Sequence, residues 1–254
     1  MNRLYDQALT NMESTVHLLA GRVPPPTRVP FKKGFNFRYV EKSLHQALVQ
    51  KLARLLSSLH AARLLMEHGF VQEQASLQRM LDEMQEDITF LSFSVIFKNT
   101  TPLHHAYLDA FFEEEFDADS ALASTQKRPM IPRKKIHAYI ARTEGAAMDP
   151  SRGIEVARTV SKAYSGYVHA ASPQIMDMYD GNPPRFQVRG MRGTARHHEH
   201  RADLWNYFYR SLFAFSVTAK AFGEEALFTK IHDFTREFER LSGKNYESKE
   251  WYET

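Results

Sequence analysis

The chain predicts an all-α protein, an antiparallel bundle of seven to nine helices with at most one small hairpin. Three observations carry this reading. Apolar residues recur at threes and fours along most of the length, strand-like alternation is almost absent, and glycine or proline falls between the periodic stretches. The 254 residues suffice for one helical domain over 1–243, followed by a short tail over 244–254.

Leu4, Ala8, Met12, Val16 and Leu19 give the first helix, which Gly21 and the run Val23-Pro24-Pro25-Pro26 end. Residues 21–38 then read as a Pro-rich linker, loop-like through Gly34–Phe37. Val40, Leu44, Leu48, Leu52, Leu55, Leu59, Ala62 and Met66 mark a long second helix, stopped by Gly69. A third, Glu73 to Lys98, carries Leu77, Leu81, Met84, Ile88, Leu91 and Val95 on one face, with Arg79 and Glu83 opposite. Phe90, Phe93 and Phe97 join the Arg79 side, so its second half is apolar nearly all round, as expected at the centre of a bundle. Thr101 and Pro102 form an N-cap and first helical residue. Their helix runs to the acidic residues Glu113-Glu114-Glu115, where negative charge opposes the dipole and frays the end.

Asp117 to Pro132 reads as a connection, Arg133 to Thr143 as a short basic helix, and Ser151 to His169 as another helix. Ser172-Pro173 opens a turn of helix that Gly181 ends, and GNPPRFQVRGMRG, 181–193, is the one place for a small hairpin. Two last helices carry Leu204, Phe208, Leu212, Phe215 and Ala219, then Leu227, Ile231, Phe234, Phe238 and Leu241.

A formal net charge of +3 is too small to argue for nucleic acid from bulk electrostatics. The chain has no cysteine, which excludes disulfides, thiolate metal sites and a cysteine nucleophile. It shows neither a signal-peptide pattern nor about 18 consecutive apolar residues. A cytoplasmic location without membrane contact is therefore expected.

Within SRGIEVARTVSKAYSGYVHAAS, helical winding puts Arg158, Lys162, Ser165 and His169 on one face, opposite Val156, Val160, Ala163 and Tyr167. A histidine between a serine and cations can act as general acid or base near neutral pH, and the cations can hold a phosphate. The same stripe also fits the wet side of a helix. Gly166, costly inside a helix, suggests a close approach there. Arg79 and Glu83 have the i, i+4 spacing of an ion pair, which can be a solvated pair or the edge of a cleft.

The stretches LLMEHGFVQEQASLQRMLDEMQEDITFL, with Arg79 and Glu83, and AYSGYVHAASP, with Tyr164, Ser165 and His169, resemble a bacterial family of all-helical domains of unassigned activity. That family shows an R-x-x-x-E helix and a later Y-S-x-x-V-H helix. The resemblance covers a minor part of the chain, and Ala170, Ala171 and Ser172 depart from the pattern between His169 and Pro173. It implies that Arg79, Glu83, Tyr164, Ser165 and His169 form one interior polar network.

A third cluster holds Arg189, Arg192, Arg196, His197, His198, Glu199, His200 and Arg201. His197 and His200, with Asp203, are weak candidates for a divalent metal, but nothing sequential completes a set of three or four ligands. A di-iron bundle needs Glu-x-x-His, which is absent. No cofactor is expected, and anion binding through Arg189, Arg192 and Arg196 is the plainer use, with RNA, a phosphorylated ligand or an acidic partner as options. HEPN ribonucleases, helical bundles of bacterial toxin and phage-defence systems, separate an arginine from a histidine by four to six residues. Arg38/His45, Arg54/His60, Arg63/His68 and Arg192 with His197 or His198 match literally, and none includes His169.

The first functional expectation is therefore a cytoplasmic bundle that binds an anionic ligand, nucleic acid or partner through the Arg79/Glu83/His169 network. The alternative is a metal-independent ribonuclease with His169 as acid/base, Arg158 or Lys162 stabilising the phosphorane, and Tyr164 or Ser165 orienting the phosphate. Homodimerisation through the Phe- and Tyr-rich terminal helices is compatible with either.

Overall fold

The computed structural model describes residues 1–31, 33–114, 118, 120, 122–124, 129–143 and 164–244. Among them nine helices and two hairpins form an all-α multi-helix bundle. Five long helices build its body: α1 (Asn2–Ala20), α2 (Leu44–His68), α3 (Val71–Ile96), and later α8 (Ala195–Ala221) and α9 (Glu225–Ser242). Between α3 and α8 come α4 (Pro102–Phe112), α5 (Arg133–Thr143) and the short helices α6 (Ser165–Val168) and α7 (Ser172–Met176). Strands β1 (Thr27–Phe31) and β2 (Gly34–Arg38) form one antiparallel hairpin, and β3 (Tyr179–Gly181) and β4 (Pro184–Phe186) the other.

Local chemistry sets the ends. The Ser43 hydroxyl accepts the Gln46 N–H at 3.2 Å and the Gln46 side chain accepts the Ser43 N–H at 3.0 Å, a reciprocal cap that starts α2 at Leu44. Val40, expected inside this helix, is left outside and 65% exposed. Thr194 caps α8, so this helix begins well before its apolar series and includes the Arg196–Arg201 part of the Arg/His-rich segment.

Two hairpins replace the single one expected. The stretch read as a linker contains β1–β2, paired from Thr27↔Arg38 to Phe31↔Gly34. A two-stranded ribbon with both faces open need not show half-buried alternation, and Pro30 is tolerated because such a ribbon consists only of edges. The β3–β4 hairpin begins at Tyr179, so Gly181 lies in a strand and does not end a helix.

Sequence-adjacent long helices are antiparallel: Asp6 near the start of α1 meets Arg63 near the end of α2, and Lys51 of α2 meets Asp87 of α3. The neighbouring helices α3 and α8 depart from the antiparallel expectation. Asp82–Arg210, Gln85–Ser211 and Ser92–Thr218 advance together along α3 and α8, so these two helices run in the same direction. The chain returns between them through α4–α7, a long crossover of the kind that parallel neighbours in a bundle require.

Asp87 through Ser94 are buried without interruption, which places the second half of α3 at the centre. Leu48, Leu52, Leu55, Leu59, Trp205, Phe208, Phe215 and Phe238 fill the surrounding core. Tyr5 packs on Phe208 with ring centroids 4.4 Å apart, and Trp205 on Phe238 at 5.9 Å. Many aromatic residues that suggested self-association of the terminal helices therefore lie in the interior. Among the described residues, no helix is long and apolar enough to cross a membrane.

Candidate functional site

The end of the bundle where α2 stops and α8 starts is built by backbone contact. Gly69 ends α2 in the left-handed conformation, φ 79°, which glycine adopts without a Cβ penalty. Its carbonyl accepts the Met191 N–H at 2.7 Å. A Cβ at Gly69 would lie 2.3 Å from the Arg192 nitrogen, and one at Gly190, also at positive φ, 2.4 Å from the His68 oxygen. The 190–193 loop thus lies directly on the α2–α3 turn. The Thr194 hydroxyl donates to the Met191 carbonyl at 2.7 Å and accepts the His197 N–H at 3.2 Å, which joins the loop to the first turn of α8.

A cleft of about 780 Å³ opens beside this joint, between the ends of α1, α2, α8 and α9. Arg63, Arg192, Arg201, Lys244, His68 and His198 are among its lining residues, and Glu67 supplies its acid. Arg63 is neutralised by Asp6 at 2.5 Å and Glu67 at 3.0 Å. Among the described residues, Arg192, Arg201 and Lys244 have no ion-pair partner. Burial and the neighbouring cations act oppositely on the Tyr5 phenol at the same cleft: burial raises it and Arg201 and Arg63 lower it, leaving it at about 12. The chemistry on offer is electrostatic: unneutralised cations around a hollow wide enough for a nucleotide-sized anion.

The structure separates the predicted anion trio. Arg192 lines the cleft, Arg196 pairs with Asp177 and Glu199, each at 2.9 Å, and Arg189 is exposed on the preceding loop. Of the two metal candidates, His197 has both ring nitrogens engaged: Nδ1 accepts the Gly193 N–H at 3.2 Å and Nε2 donates to the Met66 carbonyl at 2.7 Å. That leaves no lone pair for a metal. His200 instead lies 3.2 Å from Asp203 and 3.4 Å from the Tyr167 hydroxyl. Among the described residues, no group of three or more His, Asp or Glu could hold a metal ion.

Arg79 and Glu83 form their expected ion pair at 2.8 Å, with both side chains partly in solvent. Tyr164 is half-buried against Tyr207, and burial, Asp203 and Asp82 push its phenol far above its ordinary value. Ser165 opens α6 and is half-buried, whereas His169 caps the end of that turn and is exposed. His169, expected in a sheltered crevice with Arg79 and Glu83, is thus in solvent, and Tyr164 lies against Tyr207 with Asp82 and Asp203 near its phenol. Arg158 and Lys162 lie outside the described residues. Of the arginine–histidine spacings, Arg38 pairs with Glu114 while His45 packs edge-on against Phe222, and Arg54 and His60 are exposed. Arg63/His68 and Arg192 with His197 and His198 meet at the one cleft.

Sequence reasoning missed the charged centre of the bundle. Asp87 accepts from Lys51 at 2.8 Å, from the Tyr107 hydroxyl at 2.6 Å and from Arg133, whose guanidinium also bonds Glu86. His137 closes the cluster on Glu86 at 2.8 Å. A carboxylate in an otherwise apolar helical half was the available signal, since a buried charge requires partners. Burial alone would raise the Asp87 carboxyl, but Lys51 and Arg133 outweigh it and hold the group below the usual range; Glu86 behaves alike, with His137 and Arg133 opposing burial. A lowered folded-state pKa gives stability that is present above the unfolded-state value and lost as pH falls through the folded one. Asp82 works in the opposite sense, raised by burial despite Arg210 at 2.5 Å. Urea midpoints are therefore expected to fall steeply only below the ordinary carboxylate range, and Asp87→Asn should flatten that fall.

Comparison of the chain with protein-family models, with curated proteins and with solved structures finds no match.

Proposed function

We propose that this protein binds a phosphate-bearing anion in the cleft between the carboxyl end of α2 and the amino end of α8. The supporting observation is the convergence of Arg192, Arg201 and Lys244, none neutralised by a carboxylate among the described residues, around a hollow of about 780 Å³. Hydrogen bonds to charged groups contribute about 1.5–3 kcal/mol each. Arg192→Ala and Arg201→Ala are therefore each expected to weaken binding of a fluorescent nucleoside triphosphate by about tenfold or more, with unchanged thermal midpoints because both side chains are exposed. Equal affinity in wild type and the double variant would remove the cleft from consideration.

A metal-independent ribonuclease is the second reading, favoured by two arginine–histidine spacings meeting in this cleft. His68 would be the acid/base: its Nδ1 lies 2.9 Å from the Leu64 carbonyl, a contact that as a donated bond leaves Nε2 for proton transfer, while Arg192 faces the phosphate. Cleavage of RNA in chelator that His68→Ala abolishes, with anion binding kept, supports this reading, and an inert wild type rejects it.

A further inference from the structure

The β1–β2 hairpin leaves the opposite end of the bundle from the cleft, where α1 ends and α2 begins. Its register puts Arg28, Pro30, Phe35 and Phe37 on one face and Thr27, Val29, Phe31, Asn36 and Arg38 on the other. Glu114 at the end of α4 neutralises Arg38 on the second face. The first face carries no carboxylate, and its rings are open to solvent: Phe35 is 48% and Phe37 55% exposed. The Arg28 guanidinium lies 4.5 Å over the Phe35 ring, and Phe37 meets Phe35 edge-on at 5.4 Å. Lys33 is exposed at the turn, and residues 22–39 hold five basic residues and no acidic one.

Exposed aromatic rings in a soluble fold mark a contact surface. We propose that this hairpin is an arm for single-stranded nucleic acid, with Phe35 and Phe37 as stacking platforms and Arg28 and Lys33 as phosphate contacts. Residues two apart on a strand present side chains to one face at a repeat of about 6.6 Å, a spacing that serves successive unstacked bases. Non-sequence-specific binders of single strands combine such rings with cations along the backbone. Lys33-Gly34-Phe35-Asn36-Phe37 also has the Lys-Gly-Phe-x-Phe order found in RNA-binding sheets, though here on an isolated ribbon and with Asn36 in place of the small fourth residue. Charge favours this occupant over a lipid surface: Arg28 is stacked within the ring face, so insertion of the rings into acyl chains would carry its guanidinium with them.

The test is fluorescence anisotropy of the full chain with a short labelled oligo(U). Phe35→Ala and Phe37→Ala should each weaken binding by about tenfold, and Phe35→Tyr should retain it. Phe35→Ile, which keeps apolar bulk without a π-face, should bind as poorly as the alanine variant. Arg28→Gln or Lys33→Gln should each reduce the slope of log affinity against log salt by about 0.7. The same losses should appear in an Arg192→Ala, Arg201→Ala background, which separates failure of the arm from failure of the cleft. The proposal is overturned if wild type does not bind oligo(U), or binds it as tightly as the Phe35→Ala, Phe37→Ala variant does. It is equally overturned if Phe35→Ile retains full affinity, or if the rings are needed instead for binding equimolar phosphatidylserine–phosphatidylcholine vesicles or for self-association in light scattering.

Discussion

Asp87→Ala is expected to destabilise the fold by about 3–5 kcal/mol, because removing one partner of a buried ion pair leaves the other uncompensated. Here two cations lose a carboxylate at once: Lys51, its side chain only 11% exposed, is left without its ion-pair partner, and Arg133 keeps only Glu86. Tyr107 loses its hydrogen bond to this carboxylate as well, which removes one tie between α4 and α3. The expected fall in thermal midpoint is on the order of 10 °C for a chain of this length. Asp87→Asn keeps an acceptor for Tyr107 and should cost less. A loss below about 1 kcal/mol for the alanine variant, in the range of an exposed pair, would show that the cluster is hydrated and does not hold the four helices together.

Gly69→Ala is expected to cost roughly 2–5 kcal/mol and, unlike Asp87→Ala, to weaken anion binding too. A side chain in the left-handed region costs about 1–2 kcal/mol. The overlap adds about 1–3 kcal/mol, because the atoms in the way are Arg192 and Met191 backbone, which cannot rotate aside. Relief requires the 190–193 loop to lift off α2, and that movement carries Arg192 away from Arg201 and Lys244. Thermal melts and triphosphate titrations of the same sample read both effects. Lost stability with unchanged affinity would mean that the loop docking does not position the cleft.

The long helices were legible because each buries one stripe. The three-and-four spacing of Leu48, Leu52, Leu55 and Leu59 or of Phe208, Leu212 and Phe215 is imposed by that burial. Thr101 and Pro102 marked the start of α4 for equally local reasons. The β1–β2 hairpin was hidden because nearly all of its residues are exposed, so Val29, Phe31, Phe35 and Phe37 fell within a stretch that reads as a Pro-rich linker. The parallel run of α3 and α8 was hidden too, since helix direction across a long crossover leaves no trace in periodicity.

The cleft was half legible. Arg192 stood out within an Arg- and His-rich segment, and the spacing of Arg63 and His68 was noted, but their meeting depends on Gly69 and Gly190 bringing two distant stretches of backbone together. Arg201 and Lys244 come to the same hollow from helices whose ends no local pattern relates. Conversely, Arg196 looked equal to Arg192 in sequence and differs because Asp177 and Glu199 reach it. His197 looked like a ligand and serves instead as a bracket between Gly193 and Met66, a role fixed by two backbone groups that sequence spacing does not pair.

Amide chemical-shift mapping during titration with a nucleoside triphosphate tests the central claim most directly. Saturable shifts concentrated at Gly69, Arg192–Ala202 and Ser242–Lys244, and abolished by Arg192→Ala with Arg201→Ala, are the predicted result. Shifts confined to residues away from this joint, or none at ligand concentrations that saturate ordinary nucleotide sites, would contradict it.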